Sequence, residues 1–115
     1  MGVTIWHNPR CSKSRATLAI LEDQGIEFNL VPYLESTPSK AELETVLNAL
    51  GMEPRSLMRK GEAAYKENGL DNPSLSEAQL IEAMVANPIL IERPIVINGE
   101  KVAIGRPPES VLEIL

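Results

Sequence analysis

The stretch His7-Asn8-Pro9-Arg10-Cys11-Ser12-Lys13-Ser14-Arg15 sets a thiol among cationic and hydroxyl side chains, and Cys11 is the only cysteine in 115 residues. A thiol attacks as its thiolate, and an ordinary pKa of about 8.5 leaves only a few per cent ionised near neutrality. Lowering that value to about 6 takes roughly 3.4 kcal/mol of preferential stabilisation of the anion. A helix N-terminus contributes about 0.3 to 2 kcal/mol, so charges and hydrogen bonds must supply the rest. His7, Asn8, Ser14 and Arg15 are the local candidates. Backbone N–H groups of Ser12 to Arg15 add to them if a helix begins here, and the same amides would hold an oxyanion next to the nucleophile.

Each of these residues also has a plainer reading. A lone cysteine can be a small buried hydrophobe, His7 a structural residue at a strand end, Ser14 a capping hydroxyl, and Arg10 and Lys13 solvated charges. Cys11-x-x-Ser14 has the form of a redox Cys-x-x-Cys without its resolving cysteine. A redox cycle through Cys11 therefore needs a thiol from outside the chain. The lone cysteine excludes an internal disulfide and a multi-cysteine zinc cluster, so no metal is expected, and it points to a reducing, cytoplasmic setting.

Three further arginines sit at expected element boundaries: Arg59 in Met58-Arg59-Lys60, Arg93 in Glu92-Arg93-Pro94, and Arg106 in Gly105-Arg106-Pro107-Pro108. A guanidinium offers a planar, permanently charged fork, and several converging on a thiolate would recruit a tetrahedral oxyanion and stabilise its transition state. Taken singly, each reads as a solvated surface group, and spacing alone does not bring them together. Pro94 stands at a strand start, where a cis bond after Arg93 would set nearby groups beside the cysteine loop.

The elements that must position these residues are legible from periodicity. Val3-Thr4-Ile5-Trp6 reads as a buried strand, Ser14 to Gln24 as a helix ended by Gly25, and Phe28 to Val31 as a second strand. Such a βαβ unit is right-handed with parallel strands, which puts the cysteine loop at a carboxyl strand edge, where ligands bind in open α/β sheets. Ser39-Lys40-Ala41-Glu42 and Ser76-Glu77-Ala78-Gln79 are capping-box patterns, each followed by an apolar helical stripe. Shorter helical pieces fall near 56–59 and 62–67, so residues 39–87 form a helical insert. Ile95 to Ile97 and Lys101 to Ile104 flank Asn98-Gly99, a hairpin signal, and Pro108 opens a last helix. The order β-α-β, helical insert, β-β-α predicts an α/β, thioredoxin-like fold, a mixed four-stranded sheet flanked by helices, as one domain over residues 1–115.

The net charge of −5 argues against nucleic-acid binding, which needs a basic face. No apolar run of about 18 residues is available to cross a membrane, and no signal segment is evident. A soluble, cytoplasmic protein is expected.

Together, the cysteine loop at 7–15, Leu57-Met58-Arg59-Lys60, Pro88-Ile89-Leu90-Ile91-Glu92-Arg93-Pro94-Ile95-Val96 and Gly105-Arg106-Pro107 resemble the glutaredoxin-coupled arsenate reductase (ArsC) family over essentially the whole chain. The resemblance implies a thioredoxin-like fold with a helical insert, Cys11 as nucleophile, His7 as a group that helps lower its pKa, and an anion site completed by Arg59, Arg93 and Arg106. It implies that the Cys11 thiolate attacks arsenate to give a thioarsenate, that glutathione then attacks this adduct, and that arsenite leaves as a mixed disulfide forms. Glutaredoxin would restore the thiol. Glutathione is then a co-substrate, and no bound cofactor is expected. The chain ends at Leu115, short of the longer tail of the best-known resistance enzymes, so a similar oxyanion stays open as substrate. The fold family also includes Spx-type regulators that bind RNA polymerase. A non-catalytic interaction module is therefore the alternative, with Ser14 in place of a second cysteine counting against an Spx-type redox sensor. A phosphatase loop, Cys-x5-Arg, is not matched, since Arg15 falls at Cys-x3-Arg.

Overall fold

The computed structural model describes residues 2–115 and divides into two compact units, residues up to 36 together with 93–115, and residues 37–92. The first unit carries the sheet. Its strands are β1 (Val3–Trp6), β2 (Phe28–Val31), β3 (Ile95–Asn98) and β4 (Lys101–Ile104), in the spatial order β2-β1-β3-β4. β1 pairs parallel with β2, Val3 opposite Phe28 and Trp6 opposite Val31, as a one-helix crossover requires. It pairs antiparallel with β3, Ile5 opposite Val96, and β3 pairs antiparallel with β4. The sheet is thus mixed, α/β and thioredoxin-like. Edge position explains why Leu30 of β2 stays exposed while Ile5 of central β1 and Val96 of central β3 are fully buried.

Helix α1 (Ser12–Asp23) joins β1 to β2. It buries Leu21 against Val3, Ile5, Val96, Ala103 and Val111, with Leu18, Phe28 and Ile114 at the margin of the same core. α1 begins two residues before the expected Ser14, because Cys11 already has extended N-cap geometry and accepts from Arg15 N–H at 3.0 Å. Gly25 follows its end at φ +65°, the left-handed conformation that glycine adopts at no steric cost.

Two expectations are corrected in detail. In the hairpin, Asn98 and Lys101 are still paired, so the turn residues are Gly99-Glu100 and not Asn98-Gly99. Gly99 has φ +62° and Glu100 does not share the positive φ, the pattern of a II′ turn with glycine first. The closing segment, Pro108–Ile114, is a 3-10 helix and not an α-helix, although it buries Pro108 and Val111 as its pattern predicts.

The second unit is the helical insert: α2 (Lys40–Leu50), α3 (Ala63–Glu67) and α4 (Glu77–Ala86), with 3-10 turns at Pro54–Leu57 and Pro88–Leu90. Both capping boxes are formed. Glu42 N–H donates to Ser39 Oγ at 3.1 Å while Ser39 N–H donates to Glu42 Oε1 at 3.0 Å, and Ser76 and Gln79 repeat the exchange. Leu43, Leu57, Met84 and Leu90 are among its fully buried side chains.

Candidate active site

The site is built at the carboxyl edge of β1, where the chain leaves Trp6 and has five residues in which to reach α1. His7 N–H still bonds Val31 O at 2.9 Å, which holds the loop to the sheet. Asn8 then organises the turn: its carbonyl accepts from Cys11 N–H at 3.0 Å, its Oδ1 accepts from Arg10 N–H at 3.0 Å, and its own N–H donates to Ser14 Oγ at 3.0 Å. The same Ser14 oxygen lies 2.6 Å from His7 Nδ1, a short bond in which the hydroxyl donates to one ring tautomer and accepts from the other. Burial, helped by the nearby Arg15 charge, pushes the His7 pKa below its ordinary value, which favours the neutral imidazole. Arg15 closes the turn from outside, donating from Nη1 to Pro9 O at 3.0 Å. Arg10 and Lys13 are exposed, the plainer of their two readings.

Cys11 occupies the N-cap of α1 and is 9% exposed. Burial alone would raise its pKa. The backbone amides of Ser14 and Lys13 and the Arg93 guanidinium outweigh that cost and hold the thiol below its ordinary value. The sulfur stands where Ser39 and Ser76 hold their capping oxygens, although it makes no cap hydrogen bond of regular geometry. Arg106 reaches it from the other side of the chain, with Nη2 at 3.5 Å from Sγ, and its Nε donates to Arg93 O at 2.7 Å. One bond thus fixes Arg106 against the segment that carries the other arginine.

Glycine is required just before Arg106. A Cβ on Gly105 would lie 2.7 Å from Pro94 Cγ and would also collide with the Thr17 hydroxyl, while Gly105 N–H bonds Pro94 O at 2.9 Å. The peptide bonds Arg93-Pro94 and Arg106-Pro107 are both cis.

Of the residues singled out from sequence, the structure brings together His7, Cys11, Ser14, Arg15, Arg93 and Arg106 in the sheet unit. Arg59 is described in the helical unit. There it donates to Glu92 Oε1 at 2.9 Å and Glu62 Oε2 at 3.2 Å, and its N–H bonds Leu90 O at 2.7 Å. Sequence reasoning passed over Tyr33, which lies two residues beyond β2 and is fully buried, with Arg93, Asn8 and Cys11 acting on its hydroxyl. Its signal was available: an aromatic just past the carboxyl end of a strand parallel to β1. A hollow of about 420 Å³, lined in part by Asn8, Pro9, Arg10, Pro32 and Leu34, borders the cysteine loop. No group of His, Cys, Asp and Glu among the described residues is arranged to hold a metal ion, and no described helix is long and apolar enough to cross a membrane.

A thioredoxin-like sheet with a thiol of lowered pKa at a helix start and two arginines beside it is an arrangement suited to thiol chemistry on an anion. Comparison with known proteins identifies the family. The ArsC family model matches residues 6–114. The chain is 52% identical over 116 residues to a Haemophilus influenzae protein named arsenate reductase, covering all of both chains. It is 55% identical to the uncharacterized protein YfgD of Escherichia coli, over 98% of this chain and 96% of that one. The solved structure of an arsenate reductase from Vibrio cholerae superposes with a TM-score of 0.96 at 52% identity, covering 100% of this chain and 98% of that one. This chain belongs to the ArsC family.

Proposed function

We propose that the protein is an arsenate reductase in which Cys11 is the nucleophile and thiols from outside the chain complete the cycle. The observation that carries this reading is the Cys11 sulfur itself, set at the uncapped start of α1 with Arg106 Nη2 at 3.5 Å and with Arg93 lowering its pKa. The names of full-length relatives at about half identity support the substrate.

In the first step the thiolate attacks arsenic, an S–As bond forms, and one arsenate oxygen leaves as hydroxide or water. Arg93 and Arg106 offset the charge of the incoming anion, and the amides at the start of α1 add donors without titrating. Glutathione then attacks the adduct at the Cys11 sulfur. The S–As bond breaks with its electron pair going to arsenic, which leaves as arsenite, and the two sulfurs are oxidised to a mixed disulfide. Glutaredoxin takes over the glutathione by thiol–disulfide exchange and returns the Cys11 thiol. The absence of a second cysteine from the sequence fits this division of labour. The hollow beside the cysteine loop offers the second thiol an approach, and a reducing cytoplasm supplies it. A part for Arg59 in holding the anion rests on the family resemblance.

The test is NADPH consumption in a mixture of the protein, arsenate, glutathione, glutaredoxin and glutathione reductase. An arsenate-dependent rate is expected. Its absence, with active coupling enzymes, would turn the assignment toward the Spx-like interaction module, for which no feature of the site speaks directly.

A further inference from the structure

Tyr33 is the buried titratable group that this mechanism leaves unused. Its side chain is 0% exposed, and its hydroxyl finds no hydrogen-bond partner among the described residues. Leaving a buried hydroxyl unpaired costs about 1 to 3 kcal/mol, and native folds retain few such groups. Packing does not account for it, since phenylalanine would fill the same space without that cost. The surroundings are those of the active site: Tyr33 follows β2, which pairs with β1, and the polar groups of Arg93 and Asn8 face its oxygen without regular hydrogen-bond geometry. Burial pushes the hydroxyl pKa up, and the Cys11 charge adds to the rise against the opposing effect of Arg93 and Asn8. The group therefore keeps its proton and can act only as a neutral donor or as an acceptor.

We propose that the Tyr33 hydroxyl contacts the substrate, donating a hydrogen bond to an oxygen of the oxyanion once that anion is seated beside Cys11. The proposal rests on reading this site as one that binds an oxyanion. The arginines attract the anion by charge, whereas a fixed neutral donor selects its geometry and strengthens as negative charge builds on an oxygen of the thiol adduct. Loss of one such donor from a preorganised oxyanion site commonly costs about 10²- to 10³-fold in rate.

The experiment measures alkylation of Cys11 by iodoacetamide across pH in the full chain, with and without arsenate and with no reductant that turns it over. Without arsenate, Tyr33→Phe should show the wild-type pH profile. With arsenate, half-protection should require at least about tenfold more anion than in the wild type. Equal half-protecting concentrations would overturn the proposal, as would a shift of the anion-free profile large enough to account for the loss. If arsenate fails to protect even the wild type, it is the oxyanion reading that falls, and this proposal with it. A second measurement does not depend on the folding of the Phe variant. In a Tyr65→Phe background Tyr33 is the sole tyrosine, and its near-ultraviolet absorbance should move to longer wavelength, saturating with arsenate. No movement at saturating anion counts against the contact.

Discussion

Helices α1, α2 and α4, like the five-residue α3, begin from a residue in extended conformation, yet these three end up chemically different. α2 and α4 start from Ser39 and Ser76, whose hydroxyls accept the amide three residues on, and whose own amides are taken by Glu42 and Gln79. Each also has an acidic residue in its first turn. α1 starts from Cys11, has no acidic residue in its first turn, and makes no side-chain cap. Its third residue, Ser14, does not reach back to the N-cap amide, which is already bonded to Asn8 O, but turns to Asn8 N–H and His7. A capping box spends the positive end of a helix on its own side chains. In α1 no side-chain cap takes that end, which leaves it open to the Cys11 thiolate and, under the proposed function, to the anion that the thiolate would attack.

The largest effect is expected from making α1 resemble the other two. Cys11→Ser puts a capping hydroxyl where the sulfur stands, opposite the amide of Ser14. Reductase activity should fall at least about 10³-fold, because a serine hydroxyl without a general base is not ionised at neutral pH. Stability should move the other way, up by about 0.5 to 1 kcal/mol near pH 6. The pH dependence sharpens the comparison. The folded Cys11 pKa lies below that of the unfolded chain, so thiolate stabilisation is absent below the folded value, grows as pH rises through it, and is complete above about 8.5. The advantage of the serine variant should therefore shrink with rising pH. Urea unfolding of both proteins from pH 5 to 9 checks this, and a constant difference would show that the sulfur is not preferentially ionised in the fold.

A smaller effect is expected at the third residue. Ser14→Ala removes the acceptor of Asn8 N–H, which is buried, and the partner of the His7 ring. An unsatisfied buried donor should cost about 1 to 3 kcal/mol in urea unfolding. A cost near zero would mean that water replaces the hydroxyl and that the loop is held by the sheet alone.

Such a contrast between helix starts is mostly legible in sequence because it is local. Ser39-x-x-Glu42 and Ser76-x-x-Gln79 declare their boxes, and Cys11-x-x-Ser14 declares that it lacks one. The βαβ unit, the insert and the mixed sheet follow from periodicity in the same way. What sequence conceals is contact across long separations. The bond of Arg106 to Arg93 O, the reach of Arg106 to a sulfur 95 residues away, and the placing of Tyr33 beside Arg93 depend on β2, β1, β3 and β4 lying in register. The two local misreadings have local causes. Asn98-Gly99 is a strong turn signal, but one more pair, Asn98 with Lys101, closes before the chain reverses. The last helical stripe keeps its apolar spacing while winding as a 3-10 helix behind Pro107-Pro108.

The smallest effect should come from the helix that is already closed. Ser39→Ala removes one half of an exposed capping box, and the freed Glu42 N–H is open to water, so the cost should be at the low end for a cap, about 0.5 to 1 kcal/mol. It should be less than the cost of Ser14→Ala, although both changes delete one serine hydroxyl near a helix start, because only in the cysteine loop is the orphaned amide buried. The iodoacetamide rate of Cys11 and its pH profile should not change, since neither the amides of Lys13 and Ser14 nor Arg93 is touched. A displaced profile in Ser39→Ala would mean that the reactivity of the thiol follows global stability and not the local start of α1, and the distinction between a spent helix end and a reserved one would lose its meaning.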